Sequence, residues 1–167
     1  MIISLDSFFI LAAIEPAGLL YDLFPRAFRL HRSQTDFLQV LSTDRMGVGT
    51  SRILGHVNFL MNEGTDQPGC DDRGDTCSHG RASYIAIDSV LNCNFRFVLG
   101  CSSKHAFLHG LCSHLPELTF GFGIDKEAAL AQSEKSPRIY YYFSDHIERP
   151  FCLEKDYASP TFDGVLC

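Results

Sequence analysis

Seven cysteines, Cys70, Cys77, Cys93, Cys101, Cys112, Cys152 and Cys167, limit how this 167-residue chain can fold. Each thiol must stay reduced, pair or bind a metal, and each choice ties together segments far apart in sequence. The odd count and the lack of a leader pattern point to reduced thiols in a cytoplasmic setting. The apolar run over 8–14 is the only candidate leader, yet Asp6 precedes it and Glu15-Pro16 follows it. A secretory leader carries a positive charge before its apolar run and small residues after it. The run is also too short to span a bilayer, so it reads as a buried N-terminal helix and no membrane span is expected.

Hydrophobic residues make up 46% of the chain and charged residues 20%, which is a composition that folds. The length suits one domain over 1–167. Net charge is −6, with Asp66, Asp71, Asp72 and Asp75 concentrated in one stretch. Nucleic-acid binding needs a clustered basic face, and the one basic cluster, Arg26, Arg29, His31 and Arg32, reads as a solvated helix face. No nucleic-acid partner is expected.

The N-terminal third suggests three short helices. Ser4 is placed to cap the first, and Pro16 suits the first turn of a second carrying Leu19, Leu20, Leu23 and Phe24, which Pro25 interrupts. Ser33 with Asp36 resembles a capping box ahead of the apolar stripe Phe37, Leu38, Val40 and Leu41. From Ile53 the period falls to two, with Ile53, Val57, Phe59 and Met61 on one side, predicting a strand. Residues 62–80, rich in Gly, Asp, Pro and Ser, predict a long flexible loop. Strands are predicted over 84–91 and 94–99, joined by a turn near Asn92. Ser102 or Ser103 caps a helix reaching Leu115. Leu118, Phe120, Phe122 and Ile124 alternate with smaller residues as a strand. Asp125 caps a helix over 126–133, and an aromatic strand covers 139–143. The resulting fold class is α+β: N-terminal short helices, then a mainly antiparallel sheet of four or five strands with two interspersed helices.

The densest chemistry lies between residues 70 and 114. Cys70, Cys77 and His79 fall in the predicted loop, and Cys101, His105, His109, Cys112 and His114 fall on or near one helix. A helix spanning 101 to 112 is about 16 Å long, so a tetrahedral zinc site would have to pair one helix turn with loop ligands. The set predicted is Cys70, Cys77, Cys101 and His105. A second reading makes Cys101 a nucleophile activated by a helix N-terminus, with His105 or His146 as base. The segment Asp71-Asp72-Arg73-Gly74-Asp75 lacks the calcium-loop spacing of an EF-hand, and Arg73-Gly74-Asp75 is too short to be specific. Gly47-Val48-Gly49-Thr50-Ser51 lacks the lysine and glycine spacing of a phosphate-binding loop. Tyr140, Tyr141 and Tyr142 alternate across the last strand, with Tyr141 grouped with Ile139 and Phe143.

The sequence therefore predicts a non-enzymatic binding or interaction domain holding a structural zinc ion and a protein partner. The alternatives are a cysteine-dependent enzyme centred on Cys101 and an orphan product without a selected activity.

Overall fold

The computed structural model describes residues 2–5, 10–18, 21–71, 76–134 and 136–158. In chain order, the strands are β1 (Ile2–Leu5), β2 (Ile10–Ile14), β3 (Phe37–Ser42) and β4 (Val57–Met61). Helix α1 (Cys77–Leu91), strand β5 (Arg96–Leu99), helix α2 (Lys104–Leu108) and strand β6 (Glu117–Thr119) follow. Helix α3 (Lys126–Ser133) and strand β7 (Arg138–Tyr142) complete the regular elements. The strands form one sheet in the order β1-β2-β3-β4-β7-β5-β6.

Helices and sheet in one chain agree with the α+β class, but the sheet is mixed. Its centre, β2-β3-β4-β7, is parallel, and antiparallel pairs lie at both flanks. The predicted N-terminal helices are replaced by strands, with helical character surviving only as 3-10 turns at Tyr21–Leu23, Arg26–Phe28 and Arg32–Gln34. The physical cause is burial on both faces. All six residues of β3 are buried. Phe37 and Leu41 enter the main core, while Leu38 and Val40 join Ala13 and Leu54 in a smaller cluster. A strand covered on both sides reads as a continuous apolar run, which periodicity cannot tell from a helix. Leu19 and Leu20 lie outside the described residues.

The second correction falls on 84–91, predicted as a strand and observed inside α1. Ser78, Arg81, Ala82, Ile85 and Asp88 are its buried residues, at the three-to-four spacing of one helix face. The polar stretch before it is tied down. A 3-10 turn covers Asn62–Gly64, and a disulfide joins Cys70 to Cys77 at the start of α1. Residues 72–75, which carry the acidic and Arg-Gly-Asp readings, lie outside the described residues.

Other local signals correspond to elements. Ser103 Oγ accepts from the Ala106 amide and opens α2, but the helix ends at Leu108, well short of the predicted Leu115, and Gly110 (φ +70) follows its end. Asp125 Oδ1 accepts from the Ala128 amide at 2.9 Å and opens α3. Leu118 is buried in β6, which is much shorter than the predicted run to Ile124. In β7, Tyr140 and Tyr142 are buried and Tyr141 half-buried. Phe59, Phe95, Phe97, Phe107 and Tyr142 interlock through ring contacts of 4.9–6.3 Å that fill the main core. Aromatic pairs in such arrangements add about 0.5–1.5 kcal/mol each beyond area burial.

Candidate functional site at the strand ends

Because β2, β3, β4 and β7 run parallel, their carboxyl ends share one rim, where open sheets of this kind place ligands. The chain immediately after β2 and β4 adopts left-handed backbone at non-glycine residues, Glu15 (φ 46) and Asn62 (φ 47). Such residues cost free energy and concentrate where a side chain must be aimed.

Glu15 is aimed inward and is 7% exposed. Its Oε2 accepts from the Thr43 amide, from Thr43 Oγ1 at 2.5 Å and from the Asp44 amide at 3.1 Å. Its Oε1 is buried without a hydrogen-bond partner. Burial is the main cause that pushes the carboxyl up to about 7, assisted by the Asp44 charge and opposed by the Thr43 and Asp44 hydrogen bonds. Asp44 itself accepts from the amides of Gly47 and Val48 at 3.0 Å, folding the loop that closes over Glu15.

Thr43 Oγ1 also lies 2.6 Å from the carbonyl of Ser78. A hydroxyl has one proton, so it satisfies both acceptors only if shared. Its proton is thus divided between Glu15 Oε2 and the Ser78 carbonyl. Through Thr43 the end of β2 therefore reaches the first turn of α1. The next residue there is His79, whose Nδ1 is buried and without a partner. Gln67, 1% exposed, braces the rim. Its amide nitrogen donates to the carbonyls of Thr43, Met61 and Thr65, and its oxygen accepts from Asn62. Asn62 in turn accepts from the Ser144 amide after β7, and Ser78 Oγ accepts from the Gln67 amide.

The sequence-predicted site residues are placed elsewhere. Cys70 is bonded to Cys77, Cys101 to Cys112, and Cys93 to Cys152. No thiolate is left at Cys70, Cys77 or Cys101 to bind zinc, and the described residues contain no group of three or more side chains able to hold a metal ion. The zinc reading is corrected on that ground. Cys101 likewise carries no free thiol to act as nucleophile. His105 is exposed and stacks on His109 with ring centroids 4.1 Å apart, while His146 Nδ1 lies 3.0 Å from the Pro150 carbonyl. Disulfides persist in oxidising compartments, so the cytoplasmic expectation is corrected as well. Cys167 lies outside the described residues.

In the sequence alone Glu15 stands out only as the charge ending an apolar run, and His79 only as one of several loop residues of the cysteine–histidine cluster. The available signal was an acid at the end of such a run followed by Pro16 and Gly18, the signature of a strand turning sharply at its tip.

A parallel sheet whose carboxyl rim carries a buried acid, followed later in the chain by a histidine, is an architecture on which hydrolases assemble their catalytic groups. The lipase family profile matches residues 10–146, and the chain belongs to that family. It is 30% identical over 155 residues to lipase member H-B of Xenopus laevis, covering 86% of this chain and 34% of that protein. It is 31% identical to lipase member H-A of the same organism, over 85% of this chain and 34% of that protein. Human lipoprotein lipase is 34% identical over 124 residues, 61% of this chain and 26% of that protein. The chain thus spans about a third of the length of these relatives or less. Family membership overturns the expectation of a non-enzymatic, zinc-holding binding domain.

Proposed function

We propose that this chain supplies the acid and base of an ester-hydrolysing site, with Glu15 as the acid and His79 as the base. One observation carries the reading. Two buried polar atoms of complementary chemistry, Glu15 Oε1 and His79 Nδ1, are both left without partners on elements that Thr43 bridges. Buried polar groups are almost always paired, and two orphans on neighbouring elements mark a contact made during turnover.

In α/β-hydrolase lipases and esterases the triad runs nucleophile, acid, histidine along the chain. Glu15 and His79 follow that order. The nucleophile of this scheme precedes the acid, and the sequence contains no Gly-x-Ser-x-Gly elbow, so no serine here is given that role. In the proposed reaction, His79 takes the nucleophile's proton as the ester carbonyl is attacked and returns it to the departing alcohol. Glu15, ionised, accepts from His79 Nδ1 and stabilises the imidazolium. A cavity of about 470 Å³ opens beside Glu15 and is lined by Ala13, Ile14, Tyr21, Phe28 and Leu30. That lining suits the apolar part of an ester.

The test is release of p-nitrophenol from p-nitrophenyl butyrate by the protein in its native form. His79→Ala is expected to lower kcat/KM at least 1000-fold and Glu15→Gln about 100-fold or more, in line with loss of a triad member. Glu15→Asp is expected to keep most of the activity. Turnover unchanged in His79→Ala would overturn the reading.

A further inference from the structure

Of the three disulfides, one is set outside the core. Cys93, Cys101 and Cys152 are buried in the main core and Cys112 packs against it, so two bridges are embedded in apolar packing. Cys70 is buried but belongs to neither apolar cluster of the described residues, and Cys77 is half-buried. Opening the bridge between them leaves both clusters intact. It also closes the shortest loop, 7 residues against 11 and 59, and so constrains the unfolded chain least.

Both sulfurs of this bridge are placed to leave as thiolates. Arg81 Nη2 donates to Cys70 Sγ at 3.5 Å and to the Pro68 carbonyl at 2.9 Å, and its guanidinium lies over the Phe151 ring, 4.1 Å from the centroid. Arg81 is buried, so its charge is poorly screened at the sulfur. Asp71, the acid next to Cys70, is exposed, where water and salt screen it. Cys77 is the first residue of α1, a helix of 15 residues. A neighbouring guanidinium or a helix N-terminus lowers a thiol's pKa, and the thiol of lower pKa leaves faster.

We propose that Cys70–Cys77 is a thiol-exchange site, opened by an external dithiol while the other two bridges stay closed. A thiolate of the dithiol attacks the half-buried Cys77 Sγ and forms a mixed disulfide. The Cys70–Cys77 bond breaks, and its electron pair leaves on Cys70 as a thiolate beside Arg81. The second thiolate of the dithiol then attacks the reductant's own sulfur in the mixed disulfide and releases Cys77. The dithiol is oxidised to a disulfide and the bridge is reduced to two sulfhydryl groups. One of the dithiol's two protons ends on Cys77 and the other in solvent. Residues 67–70 are tied to the start of α1 by the Gln67 amide donating to Ser78 Oγ, by Arg81 donating to the Pro68 carbonyl and by the bridge. Exchange removes one of these ties beside His79. Its effect on catalysis rests on the ester-hydrolase reading, whereas the exchange itself does not.

Alkylation of the folded protein in dithiothreitol redox buffers, read by peptide mass, tests the proposal without turnover. In the wild type, Cys70 and Cys77 are expected to be half reduced at a ratio of reduced to oxidised dithiothreitol at least 100-fold lower than either other bridge requires, a gap of about 60 mV. Arg81→Gln is expected to slow the opening at least 10-fold, and Arg81→Lys to open at a rate close to wild type. A role for Arg81 in packing alone gives the opposite sign, because loosening residues 67–70 exposes the bridge and speeds attack. The order of opening in the wild type needs no variant, so it decides the matter even where Arg81→Gln fails to fold. His79→Ala is expected to open like wild type, so loss of hydrolysis and loss of exchange are separable. Opening of another bridge first, opening of all three together, or Arg81→Gln opening at the wild-type rate or faster overturns the proposal.

Discussion

Gly49 and Glu15 are fitted to each other so closely that a Cβ on Gly49 would lie 2.2 Å from Glu15 Oε1 and 2.4 Å from the Asp44 carbonyl. The absence of a side chain at 49 is what lets the Asp44 loop close over the acid. Gly49→Ala is expected to push the carboxylate aside, costing about 1–3 kcal/mol of stability as overpacking does and lowering ester hydrolysis at least 10-fold. Glu15→Asp draws the carboxylate back from residue 49. The double variant is therefore expected to be more stable than the two single effects added together, which a double-mutant cycle in urea measures.

The raised pKa of Glu15 makes stability depend on pH in a defined direction. Below about 4.5 the group is protonated whether the chain is folded or not, and the folded state bears no penalty. As pH rises from about 4.5 to about 7, the unfolded chain loses its proton while the folded protein keeps it, so stability falls. Above about 7 the loss levels off, at a total on the order of 3 kcal/mol. Glu15→Gln is expected to flatten this part of the profile. Urea unfolding at intervals between pH 4.5 and 8 is the measurement.

The three disulfides are expected to contribute unequally. Cys93–Cys152 closes 59 residues of chain, and Cys70–Cys77 closes 7. Loop-closure entropy gives about 4 kcal/mol for the first and about 2 kcal/mol for the second. Replacing each pair by alanines should reproduce that order in the urea midpoint. The short bridge adjoins His79, and its loss is expected to lower activity more than its small effect on stability would suggest.

Two buried tyrosines of β7 make a controlled comparison. Tyr142 Oη donates to Asp156 Oδ2 at 2.7 Å and accepts from the Leu153 amide at 2.7 Å. Tyr142→Phe leaves both partners unsatisfied, and a loss of about 2–3 kcal/mol is expected. Tyr140 Oη donates only to Gln132, which is half-buried and can turn to water. Tyr140→Phe is expected to cost about 1 kcal/mol or less. Thermal unfolding of the two variants side by side checks the difference.

Much of the C-terminal half was legible because its signals are local. Asp125 opens α3, Ser103 opens α2, and the aromatic run of β7 alternates between buried and half-buried rings. The N-terminal half was misread because β3 is covered on both faces and shows no alternation. The β-branched and aromatic residues of α1 also resembled a strand until the spacing of Ala82, Ile85 and Asp88 was seen against the core. The cysteine pairs could not be read at all, since six cysteines permit about fifteen pairings and spacing does not choose among them. Glu15 and His79 were individually visible, but their relation is made by Thr43 and the Ser78 carbonyl, which no short motif encodes.

Gln67 gives the strand-end loops a property that none has separately. One neutral amide grips the backbone after β3 and at the end of β4 and fastens Asn62, which in turn holds the chain after β7. The loops are thereby geared together, and a shift in one is carried to its neighbours. Sequence drift at this edge must then be concerted: a replacement at 62 calls for a matching replacement at 67, because these two meet side chain to side chain, while the side chain at 144 can change without loosening a grip made on its backbone.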